Sequence, residues 1–159
     1  MKFFETSKYY TFRKSTYVTL RWIGIIGQLI SIYFVYYYLN FEFNFIYTNL
    51  VVAIGIVSNL YLIFIYKKSQ LSDRSALFFL LIDIFQLTGL IYLTGGIVNP
   101  FVIFLIIPSV FASTNLGLNT NLFLVITTIL IIIFLTFYSE DLPKPLSNHF
   151  HVSPYYFYS

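Results

Sequence analysis

Five stretches of this chain are long apolar runs almost free of charge, and that pattern restricts the fold more than any other feature. They cover about residues 18–39, 46–66, 76–94, 101–116 and 122–138, the fourth being short. A bilayer's hydrocarbon core is about 30 Å thick and takes about 20 helical residues to cross. Backbone polar groups in lipid must be paired within the element, so the runs are expected to be helices. Val, Ile, Phe and Tyr favour strands in soluble proteins, but runs this long and apolar on every side outweigh that preference. The alternating pattern of an outer-membrane barrel does not occur. The expected fold class is all-α, a polytopic transmembrane helix bundle with five spans.

Composition agrees. The chain is 58% hydrophobic and 9% charged, against about 25% charged in a typical globular domain. Its 22% aromatic content excludes a disordered tail. The absence of cysteine excludes a disulfide scaffold, a thiolate zinc site, a c-type haem attachment and a cysteine nucleophile. The two histidines, His149 and His151, both lie near the C-terminus, which excludes a bis-histidine haem between helices. Neither metal nor haem is expected. A net charge of +3 reads as membrane orientation, not nucleic-acid binding.

Orientation follows from the cations. Lys2, Lys8, Arg13, Lys14 and Arg21 precede or enter the first span, and Lys67, Lys68 and Arg74 follow the second. If spans alternate, these eight share one side and Lys144 stands alone on the other. The positive side is the cytoplasmic one. The expected organisation is a cytoplasmic tail over 1–17, a transmembrane domain over 18–138 and an extracytoplasmic tail over 139–159. The polar first 17 residues and the long first run do not read as a signal peptide. Tyr36 to Tyr38, with Phe41, Phe43, Phe45 and Tyr47, read as an aromatic belt at the outer interface.

Polar residues inside the spans each need a reason, because a mid-membrane charge costs about 2.5–3.5 kcal/mol on insertion scales. Asp83 lies about 12 Å into the third span at 1.5 Å per residue. Gln86 and Thr94 fall on the same stripe of that helix. Gln28 shares a stripe with Arg21 and Gly24 in the first span, and Asn59 sits well inside the second. Gln28, Asn59, Asp83 and Gln86 are expected to meet inside the bundle. They could form an interhelical hydrogen-bond cluster, or Asp83 could serve a proton- or ligand-linked role.

The segment Leu93-Thr94-Gly95-Gly96-Ile97-Val98-Asn99-Pro100-Phe101 is the most informative. Two glycines can end the third helix. Asn99 is a good N-cap, and Pro100 suits a first helical position. A plain turn between helices explains this much. The same arrangement suits a ligand: glycines expose backbone to a flat ring, the next helix presents N–H groups to a carbonyl oxygen, and Phe101 could lie against an aromatic head group. Pro108, with Ser109, Ala112 and Ser113, would bend the fourth helix and allow close packing.

This segment resembles the GGxxNPF signature of RegB/PrrB-type redox-sensing histidine kinases. The approach to it, Asp83-Ile-Phe-Gln86-Leu87 and Leu90-Ile-Tyr-Leu-Thr94, is similar to that family's third span. Leu20-Arg21-Trp22-Ile23 with Gly27-Gln28 resembles its first span, and Asp141-Leu-Pro143-Lys-Pro145 its proline-rich segment after the fifth. The resemblance implies a six-span membrane sensor of the ubiquinone pool in a bacterial cytoplasmic membrane. In the family, a cytoplasmic dimerisation helix with the phosphorylated histidine and an ATP-binding domain follow. It further implies a homodimer and a response-regulator partner in two-component signalling. Carried over by position, the candidate quinone contacts are Gly95, Gly96, Asn99, Pro100 and Phe101.

The departures are at the C-terminal side. His149 and His151 lack the phosphoacceptor context, and no ATP-binding segment follows. The chain reads as a sensor fragment without kinase activity of its own, with a sixth span expected to start near Ser153. The alternatives are a small transporter or proton pathway using Asp83, and a purely structural membrane anchor.

Overall fold

The computed structural model describes residues 12–138 and the pair 144–145. Expectations that fall on residues 1–11, on His149 and His151, and on a sixth span from near Ser153 lie outside the described residues. Four helices are long and apolar enough to cross a membrane. They are α1 (Lys14–Tyr33), α2 (Phe45–Phe64), α3 (Asp73–Leu93) and α5, Leu118–Phe137. A single π-helical turn, Phe34–Tyr38, extends α1. The fourth expected stretch differs: it is a 3-10 helix, Pro100–Ile106, running into a short α-helix, α4 (Ile107–Asn115).

Local chemistry sets several boundaries. Asn44 caps α2 by accepting from the Tyr47 N–H, and Ser72 caps α3 by accepting from the Ser75 N–H. At the far end of α2, the Lys14 ammonium donates to the carbonyl of Tyr66 at 2.6 Å. Short antiparallel pairings close the two ends. Phe12–Arg13 (β1) pairs with Gln70–Leu71 (β3), and Phe41–Glu42 (β2) pairs with Lys144–Pro145 (β4).

The 3-10 segment has a geometric reason. Asn99 is bonded to Thr94 at one end of α3, and the Gly117 N–H donates to Asp73 at the other. The 16 residues Pro100–Asn115 therefore return along the height of α3, which has 21 residues, or about 31 Å at 1.5 Å each. Sixteen α-helical residues reach only about 24 Å. Seven residues at the 3-10 rise plus nine at the α rise reach about 28 Å. Pro108 sits just past the junction. It has no N–H to offer the Phe104 carbonyl, which instead accepts from the Ile107 N–H in the 3-10 pattern.

Helix α3 is the most enclosed of the four long helices. Its Ala76, Phe79, Leu80, Ile84 and Ile91 pack with Leu62 of α2, Leu105 and Ala112 of the fourth stretch, and Leu124 and Leu135 of α5. Helix α1 packs on α2 through Ile25, Ile32 and Val52. Ser109 of α4 and Thr128 of α5 share a buried hydrogen bond of 3.2 Å. The outside is apolar: Ile23, Ile30, Val57, Phe64, Phe85 and Leu130 are all exposed. Such a surface suits lipid and would be an aggregation hazard in water. Within the expected aromatic belt, Tyr36 stacks on Phe45 at 4.3 Å and meets Phe43 edge-on at 5.7 Å.

Candidate functional site

The turn after α3 is built by its own residues. Thr94 closes the helix, and its hydroxyl donates back to the Leu90 carbonyl at 2.6 Å. Gly95 has φ 111° and Gly96 φ 56°, in the left-handed region that favours glycine. Asn99 adopts the extended backbone expected before proline. Its amide nitrogen donates to the Thr94 carbonyl at 3.0 Å and to the Thr94 hydroxyl at 2.7 Å. Its side-chain oxygen accepts from the Phe101 N–H at 2.9 Å. Asn99 is only 6% exposed, so it is the staple of the turn.

This differs from the expectation of free N–H groups at the start of the fourth stretch. Pro100 has none, the Phe101 N–H is held by the Asn99 side chain, and the Val102 N–H donates to the Asn99 carbonyl. Gly95 and Gly96 are buried. Of the five candidate contacts, Pro100 and Phe101 reach the surface. Phe101 is 43% exposed, and its ring lies 5.6 Å from that of Phe104. The turn thus presents an aromatic face on a rigid frame, with its polar groups turned inward.

The intramembrane polar residues divide into separate contacts. The Gln86 amide donates to the Gln28 carbonyl oxygen at 2.8 Å, linking α3 to α1. Asn59 donates to the Val18 carbonyl at 3.3 Å. Asp83 accepts from the Tyr17 hydroxyl at 2.5 Å and from Arg21 Nε at 2.8 Å, and it lies 2.7 Å from Arg21 Nη2. The Nη2 group also donates to the Ser58 hydroxyl at 3.0 Å. The rings of Tyr17 and Phe79 flank the guanidinium at 5.4 and 6.0 Å. Asp83 thus sits in an ion pair that ties α3 to α1 and, through Ser58, to α2.

Sequence reasoning missed three residues here. Arg21 was expected among the cytoplasmic charges at the edge of the first span, yet it lies within α1 and is 6% exposed. Tyr17 was expected in the tail and instead lies in the first turn of α1. Gly55 carried no expectation, yet a Cβ there would stand 2.7 Å from Gln86 Oε1. Its missing side chain is the space in which the Gln28–Gln86 bond forms.

The chain is 30% identical over 113 residues to the sensor histidine kinase RegB of Cereibacter sphaeroides. The match takes in 70% of this chain and 24% of that relative, so the matched region is about a quarter of the relative's length. It supports the reading of the chain as a RegB-type sensor-kinase membrane region. No protein-family model matches the chain, and no solved structure does.

Proposed function

We propose that this chain is the membrane signal-input region of a two-component sensor histidine kinase, and that it responds to the redox state of the quinone pool. The observation that carries the reading is the similarity to a sensor histidine kinase over 70% of the chain, together with a turn whose residues read Thr94-Gly95-Gly96-x-x-Asn99-Pro100-Phe101. In this reading ubiquinone lies against the exposed ring of Phe101, beside the stapled turn, and is held by aromatic and apolar contact. The ligand biases the bundle only by its different affinity for two arrangements of the helices.

The fourth stretch completes a fifth span, because it returns along the full height of α3. The N-terminus is then cytoplasmic. Removing buried Arg21 from the loop tally leaves Lys2, Lys8, Arg13, Lys14, Lys67, Lys68 and Arg74 on that side, against Lys144 on the other. The setting is a bacterial cytoplasmic membrane. Homodimerisation and a response-regulator partner belong to the whole kinase. The proton-pathway alternative is weakened because Asp83 is already engaged by Tyr17 and Arg21.

The test is ubiquinone binding to the purified chain in nanodiscs, comparing native protein with Phe101→Ala. Affinity is expected to fall about tenfold, the effect of losing one aromatic contact of about 1.4 kcal/mol. The helical content should be unchanged. Equal affinity in the two proteins removes Phe101 from the site, and no saturable binding by the folded native chain removes the quinone reading itself.

A further inference from the structure

Two buried polar atoms are left over from the network around Arg21. Arg21 Nη1 and Asn59 Oδ1 are enclosed and find no hydrogen-bond partner among the described residues. Their residues are 6% and 0% exposed. They occupy the same level of the α1–α2 seam. Asn59 is tied by its amide nitrogen to Val18, three residues before Arg21 on α1. Arg21 is tied by Nη2 to Ser58, the chain neighbour of Asn59. One bond thus runs from α2 to α1 and the other from α1 to α2 within a single helical turn.

The two atoms are opposite in kind. The guanidinium can only donate, and the amide oxygen can only accept. Leaving either unpaired forfeits the hydration of a buried polar group with nothing in return, most of all for the charged one. The neighbouring rings of Tyr17 and Phe79 shield the guanidinium without supplying a lone pair. A group that serves both atoms must accept from Arg21 and donate to Asn59. A hydroxyl does both, whereas a ketone or ester carbonyl only accepts and would leave Asn59 Oδ1 unpaired.

We propose that Arg21 Nη1 and Asn59 Oδ1 together form a binding site for one hydroxyl group in the α1–α2 seam. Two sources share that chemistry: an internal water, and the ring hydroxyl of a reduced quinone. The second source rests on the quinone reading above; the first does not. With the second source, the site favours quinol over quinone, because only the reduced ring carries the donor that Asn59 requires.

The experiment is solid-state NMR on the full chain in lipid, with arginine labelled by 15N. Only Arg13, Arg21 and Arg74 contribute, and Arg21 alone of these is buried, the other two being exposed. Magnetisation transfer from hydroxyl protons to the Arg21 Nη1 signal, resolved from Nη2, is recorded in a Ser58→Ala protein, which lacks the hydroxyl already bonded to Nη2, without quinone, with ubiquinone and with ubiquinol. Transfer that is the same in all three samples identifies an internal water. A new transfer and shift with ubiquinol alone identifies the quinol hydroxyl. Either result supports the site, and absence of hydroxyl transfer to Arg21 Nη1 in all three overturns it. Asn59→Leu is expected to abolish the transfer, and persistence in that variant removes Asn59 from the site. Should that variant fail to fold, the measurement with Asn59 in place still decides. Failure of the Phe101 test above would leave the water outcome standing, so the two readings fail separately.

Discussion

Removing the carboxylate of Asp83 tests whether the tie between α1 and α3 is an ion pair or only a well-filled space. Asp83→Leu keeps bulk but strips the acceptor from Arg21 Nε and Nη2 and from the Tyr17 hydroxyl. The guanidinium side chain, 4% exposed, is then buried with Ser58 as its remaining neutral acceptor. At about 4 Å between charge centres and an effective dielectric of about 20, the lost attraction is about 4 kcal/mol. That agrees with the roughly 3–5 kcal/mol seen when one partner of a buried pair is removed. Arg21→Met should cost a similar amount for the mirror-image reason.

The double variant separates the explanations. With both charges gone no uncompensated ion is left in the bundle, and the remaining loss is the hydrogen bonds to Tyr17 and Ser58, about 2 kcal/mol together. The assay is reversible unfolding in bicelles, by steric trapping, of the native chain, the two single variants and the double. The double variant is expected to be more stable than either single one by about 2 kcal/mol, roughly thirtyfold in the unfolding constant. A double variant that loses the sum of the two, about 8 kcal/mol, would refute the charge argument and leave shape as the cause.

Asn99→Ala removes two bonds to Thr94 and the cap on Phe101; a loss of about 2 kcal/mol is expected in the same assay. Asn99→Asp keeps the acceptor for the Phe101 N–H and should recover part of it. Gly55→Ala places a methyl where the Gln86 amide lies, so its cost should shrink once Gln28→Leu has already removed the partner; full additivity would refute that route. Pro108→Ala restores an N–H donor for the Phe104 carbonyl, and an α-helical Pro100–Ile106 would shorten by about 3.5 Å. Spin labels at Val98 and Leu118 should nevertheless report an unchanged distance, because both ends are tied to α3; a shorter distance would show that the proline, not the pinned ends, holds the 3-10 segment.

The positions of the helices were readable because lipid makes a long apolar run mean one thing. Boundaries shifted mainly where polar residues extend a helix past the hydrocarbon: Lys14 to Tyr17 before the first run, Asp73 to Ser75 before the third, and Leu118 to Asn121 before the fifth. The turn was readable as a turn because Gly95, Gly96, Asn99 and Pro100 each have a strong local preference. Whether it also holds a ligand was not readable there, since the same preferences are satisfied by the chain's own hydrogen bonds. Pairings between helices were the hard part, because they depend on how each helix is rotated, which apolar runs do not encode. Arg21 shows what was nevertheless available. It lies seven residues beyond Lys14, about 10 Å up α1, while Asp83 lies ten residues beyond Asp73, about 15 Å up α3 from the same end. An arginine side chain bridges that difference in level. A cation and a carboxylate at matching depth from one face have far more to gain from each other than from lipid, so depth, rather than nearness to a loop, is what should assign such a charge.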